Sequence, residues 1–148
     1  TLRYAPAVVL GVTLVWFVGG YALYSTLFAL AGSLVSRQED AQAAAAPIST
    51  VLIGAYLLVF IFGYAPDSTA TTVMSLIPPL APMIMPMRMA AGAAPVWQVV
   101  LAIVLLAVAI VAVWKLAGKV YEQVLLRRGQ RISWKEVASL ARRERSAA

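Results

Sequence analysis

The chain has 148 residues, 62% of them hydrophobic and 12% charged, with a mean hydropathy of +0.86 and a formal net charge of +6. Soluble domains carry roughly 25% charged residues, so this composition excludes an ordinary soluble domain and points to a membrane protein. Cysteine and histidine are absent, which excludes a disulfide framework, the usual zinc sites and catalytic arrangements built on an imidazole base.

The chain starts at Thr1 without an initiator Met, and its first residues already read as the edge of a span. No basic n-region, short apolar core and small-residue cleavage site are visible. The expectation is the C-terminal part of a longer membrane protein; the alternative is a mature, processed small protein. From Ala5 to Val35 there is no charge. A membrane helix takes about 20 apolar residues, so a first span is predicted over 7–35. Tilt, a kink near Gly19–Gly20 or an interfacial start absorbs its excess length. Ser36–Pro47 (SRQEDAQAAAAP) is polar and small, and reads as a loop outside the hydrocarbon. A second span is predicted over 48–64, followed by a polar, turn-rich stretch over 65–75 whose single charge is Asp67.

Residues 76–88 (LIPPLAPMIMPMR) pose a contradiction. They are apolar enough to enter a membrane, yet carry Pro78, Pro79, Pro82 and Pro86 and end on Arg88. Proline inside a helix costs roughly 3 kcal/mol, and the residue before each proline is pushed toward extended backbone. A central Arg adds about 2.5–3.5 kcal/mol to a spanning helix. A continuous span therefore loses to a broken re-entrant or interfacial element over about 74–91, whose backbone polar groups need protein or water around them. A third span follows over 96–118, with Trp97 and Trp114 near its ends as interface anchors.

The tail, 119–148, is basic. Lys115 and Lys119 snorkel from the helix end. Arg127, Arg128 and Arg131 flank Gly129, a helix C-cap, and Ser133 with Glu136 has capping-box spacing for a last short helix. A juxtamembrane polybasic segment gains about 1 kcal/mol per basic residue from anionic lipid. These five cations are therefore candidate lipid contacts, and nucleic acid is not expected as a partner. With three spans, the tail and the 36–47 loop share a side and hold ten of the Lys and Arg residues, against two on the other side. The positive-inside rule then places the C-terminus in the cytoplasm and the proline-rich element on the outer face. The predicted fold is an all-α integral membrane protein. It has about three transmembrane helices, the proline-broken element and a basic cytoplasmic C-terminal helix.

The chain has no Walker-type phosphate loop. The spans hold no ionisable residue well inside the hydrocarbon, which weakens a proton-coupled reading. Arg37, Gln38, Glu39 and Asp40 are a candidate contact for a cytoplasmic partner, or a solvated helix end with local ion pairs. The few carboxylates do not cluster on one side, against a membrane-embedded enzyme.

Three segments in order carry a resemblance: GSLVSRQEDAQAAAAP, SLIPPLAPMIMPMRMAAGAAPVWQ, and a last span ending WKLAGKVYEQVLLRRGQRISWKE. Over nearly its whole length the chain resembles the C-terminal half of ABC-type exporter permeases of the second class, close to the sodium-exporting permease subunit. The resemblance implies alternating access, a second permease subunit, and ATP and Mg bound on a separate cytoplasmic subunit, with no cofactor in this chain. It implies that Pro78, Pro79, Pro82, Met83, Pro86 and Arg88 belong to a re-entrant outer gate or seal. The family's main coupling helix lies between earlier spans, so Arg37–Asp40 would be a secondary cytoplasmic contact. The runner-up is a small helical accessory subunit of a larger membrane complex.

Overall fold

The structure is a computed structural model that describes residues 5–35, 38–126 and 139. Its elements are α1 (Pro6–Ser33), α2 (Gln38–Phe62), α3 (Thr69–Leu76), α4 (Ala81–Ala90) and α5 (Val96–Leu126). Three of them, α1, α2 and α5, are long and apolar enough to cross a membrane. All three keep large apolar side chains on their outer faces, among them Phe17 and Tyr21 on α1, Tyr56 and Phe60 on α2, and Val104 and Val108 on α5. A helix that is apolar on every side suits lipid and neighbouring membrane helices, not water. The protein is an all-α membrane protein, and the expected basic C-terminal helix lies outside the described residues apart from Ser139.

α1 begins with proline at its first position, where the missing N–H would have had no helical partner. The chain stays helical through Gly19 and Gly20. These glycines admit neighbours: a Cβ at Gly19 would fall 2.7 Å from Leu106 Cδ2, and one at Gly20 would fall 2.9 Å from Pro82 Cβ. The threonine hydroxyls within α1 and α2 bond back to their own helix where a bond is made, Thr13 to the Val9 carbonyl, Thr26 to Ala22 and Thr50 to Ala46, which satisfies them without water.

The expected loop over Ser36–Pro47 is mostly helix, since α2 starts at Gln38 and runs through Pro47. Glu39 and Asp40 sit in its first turn, where the positive end of the helix dipole favours acids. The alanines after them are strong helix formers. That leaves a short connection between α1 and α2, which pack through Tyr24, Ala31, Ala44 and Ile48. The polar stretch before the prolines also contains helix. Ser68 caps α3, its Oγ accepting from the Thr71 N–H at 3.2 Å.

α1 and α5 run parallel. Gly19 meets Leu106 near the middle, and Leu30 and Leu34 meet Val120 further along both helices. α2 returns antiparallel between them in sequence, so the end of α2 and the start of α5 lie at the same end of the bundle. Residues 63–95 must therefore enter and leave the bundle at that end. They do so as the α3–α4 hairpin. Its turn reaches the middle of α1, where Pro82 seats on Gly20 about 21 Å from the first residue of α1 at the helical rise. α4 is a wedge between the parallel helices. Ala81, Met85 and Met89 form one core with Trp16 and Leu23 of α1 and Val99, Ala102 and Leu106 of α5.

Candidate functional site

The hairpin is broken where its prolines dictate. Ile77, preceding Pro78, ends α3 in extended backbone at φ −75°, ψ 119°. α4 restarts with Pro82 in its first turn and carries Pro86 inside. Gly92 then ends α4 at φ 72°, a left-handed conformation that glycine adopts without strain. The Ala93 N–H reaches back to the Arg88 carbonyl at 2.9 Å and the Gly92 N–H to Met89 at 3.0 Å, the two bonds of a Schellman cap.

Arg88 holds the open end of the hairpin. It is 1% exposed, and four of its five N–H groups have partners. Nε donates to the Pro66 carbonyl at 2.9 Å and Nη1 to Ser75 Oγ at 2.8 Å. Nη2 donates to Thr72 Oγ1 at 3.0 Å and to the Ala93 carbonyl at 3.1 Å. One side chain thus ties the connection after α2, two hydroxyls of α3 and the exit from α4. All four acceptors are neutral. Burial pulls the guanidinium pKa down and the exposed Asp67 carboxylate pushes it back up, while an Arg side chain stays charged in proteins. Thr71 completes the polar knot, its Oγ1 donating to the Ala65 carbonyl at 2.8 Å beneath the Ser68 hydroxyl.

Tyr24 holds the closed end. Its hydroxyl donates to the Pro79 carbonyl at 2.6 Å, across 55 residues of sequence. The turn needs this bond. The Met83 N–H, which in a continuous helix would take Pro79, bonds instead to Leu80 at 3.1 Å. A carbonyl left unbonded at that depth costs free energy that only a protein donor or water can remove.

Of the residues singled out from sequence, Pro78 and Pro79 lie in the hairpin turn, half-buried. Met83 and Pro82 face a cavity shared with α1 and α2. Pro86 sits mid-α4 and Arg88 sits at the hairpin base, so the structure brings this set into one element but puts Arg88 at the opposite end from Pro78 and Pro79. Gln38, Glu39 and Asp40 start α2, with Glu39 exposed; Arg37 lies outside the described residues. Lys115 and Lys119 are exposed on α5, four residues apart and so on one face. Arg127, Arg128 and Arg131, together with the Gly129 cap and the Ser133–Glu136 box, lie outside the described residues. Sequence reasoning missed Tyr24, Trp16, Thr72 and Ser75. The Ser/Thr run before an apolar segment ending in Arg was the available signal for the last two. Nothing in the pattern marked Tyr24 from Tyr21.

Residues 3–119 match the family described as ABC-2 family transporter protein. The chain is also 32% identical over 128 residues to an uncharacterized protein, YhaP, of Bacillus subtilis (strain 168), a match covering 86% of this chain and 30% of the relative. The chain thus spans about 30% of the length of that curated relative. No solved structure matches it. Both matches bear on architecture and family; neither concerns sodium.

Proposed function

Since the chain belongs to the ABC-2 family of transporter proteins, a multi-pass membrane family, we propose that it is the C-terminal part of an ATP-driven exporter permease working by alternating access. ATP and Mg are bound and turned over on a separate cytoplasmic subunit, and a second permease subunit completes the pathway. The C-terminus and the α1–α2 connection face the cytoplasm. There Glu39 and Asp40 give a secondary contact to the partner, and Lys115, Lys119, Arg127, Arg128 and Arg131 meet anionic headgroups. The α3–α4 hairpin enters from the outer face, and its Pro78–Arg88 segment seals the outer end of the path.

The observation that supports this most is the hairpin itself, wedged halfway down between two parallel spanning helices and tied at both ends by single side chains. An element of this kind closes one end of a bundle without crossing it. The experiment is purification of the full-length protein from its native membrane, followed by reconstitution and ATPase measurement. An ATP-hydrolysing subunit is expected to co-purify, with turnover that rises when cargo is added. A full-length protein that purifies alone, with no ATPase bound or encoded beside it, overturns the proposal.

A further inference from the structure

Tyr24 stands between two open-sided cavities. One, of about 410 Å³, lies between α1, α2 and the start of α4, with Trp16, Gly20, Ser25, Leu52, Pro82 and Met83 in its wall. The other, of about 460 Å³, lies between α1, α2 and the hairpin turn, with Leu27, Pro47, Ile48, Val51 and Pro79 in its wall. Tyr24 is the one residue in both walls. It is buried, and its hydroxyl is the donor held by the Pro79 carbonyl.

We infer that the Tyr24–Pro79 hydrogen bond is a latch, opened by an amphiphile that carries a hydrogen-bonding group on an apolar body. While the bond is made, the hairpin turn is held against α1 and the phenol divides the two spaces. When it breaks, the turn withdraws along α1 and the spaces join. The latch is two-state because both partners sit among apolar side chains. Breaking the bond with nothing in its place leaves a hydroxyl and a carbonyl without partners, which holds the latch closed until another hydrogen-bonding group replaces one of them. The same property selects the opener. The walls carry hydroxyls but no charged side chain, so they offer little to a hydrated ion. An alcohol or amide on an apolar chain fits the walls and can replace either partner of the bond. This inference rests on the exporter reading for its purpose, since it names the class of cargo, but not for its mechanics.

The chain contains no cysteine, so spin labels can be placed cleanly in a full-length background freed of any others. Nitroxides at Ile77→Cys, in the exposed part of the turn, and Tyr121→Cys, exposed on α5, report the position of the turn. In phosphatidylcholine vesicles the parent protein should give one main distance. Tyr24→Phe keeps the ring and removes the donor. It should shift the closed-to-open ratio by about five-fold toward a second distance, the factor carried by one net hydrogen bond of about 1 kcal/mol. 1-Dodecanol should populate the same second distance in the parent, and dodecane should not. Identical distributions for parent and Tyr24→Phe overturn the latch; equal effects of dodecanol and dodecane overturn the amphiphile as its opener. ATP and Mg added to the complex with its ATPase separate this idea from the exporter reading. A turn that moves in Tyr24→Phe but never with nucleotide keeps the latch and removes the exporter. Nucleotide-driven change with an unmoved Tyr24→Phe turn does the reverse.

Discussion

Pro82 occupies the space that a side chain at position 20 would need: a Cβ built on Gly20 lies 2.9 Å from Pro82 Cβ and 3.3 Å from its Cγ. This contact sets how closely the hairpin approaches α1. Gly19 makes a similar approach to Leu106, but there the near atom is the end of a flexible side chain. Gly20→Ala should therefore lower the thermal midpoint in detergent much more than Gly19→Ala. Overpacking against a rigid ring costs about 1–3 kcal/mol, whereas Leu106 can change rotamer. Gly11→Ala and Gly32→Ala, which meet nothing within 4 Å, should be neutral or stabilising, because alanine favours helix by about 1 kcal/mol. Equal loss at positions 19 and 20 would show that the ring does not set the approach.

Arg88 is expected to be the most sensitive polar residue. Each buried acceptor left without a donor costs about 1–3 kcal/mol, and Arg88→Met strands several at once. Arg88→Lys should recover only part, since an ammonium cannot span the fork from Pro66 to Ser75, Thr72 and Ala93. Ser75→Ala and Thr72→Ala each remove one bond and should cost less. Limited proteolysis across 63–68 and thermal unfolding report this order. An Arg88→Met protein as stable as its parent would sink it.

Pro86 and Pro82 separate stability from movement. Pro86→Ala restores an N–H within α4 and should stabilise the isolated hairpin, since an interior proline costs about 3 kcal/mol. Pro82→Ala removes the ring on Gly20. On the exporter reading proposed above, both should change export by the reconstituted full-length protein more than they change its assembly with partner subunits. Unchanged export with either variant argues that the hairpin is a static plug.

Trp16 is fully buried beneath the α4 wedge, and its indole N–H has no hydrogen-bond partner among the described residues. Trp16→Ala should cost about 3–5 kcal/mol through the cavity it leaves. Trp16→Phe loses volume but also removes an unsatisfied donor worth about 1–3 kcal/mol, so it should be tolerated far better. Midpoints from chemical or thermal unfolding decide the comparison. If the two variants prove equally damaged, the indole N–H has a partner that the packing does not account for.

The sequence by itself determined the membrane class, the three long helices and the inability of residues 76–88 to span, because hydropathy and proline stereochemistry are local. It also marked Pro82, Pro86 and Arg88 as belonging to one unusual element. It could not show that 38–47 would extend α2 or that 69–76 would be helical, since acidic first turns, caps and short Thr-rich runs are settled by context. Only the tertiary structure decided what holds the hairpin in place. Tyr24 and Pro79 are 55 residues apart and Arg88 and Pro66 are 22 apart. No periodicity links them. Tyr24 meets Pro79 because a turn broken by proline leaves a carbonyl that its own helix does not satisfy and α1 brings the donor; Arg88 meets Pro66 because the hairpin returns α4 to the connection it left, where the buried guanidinium needs acceptors.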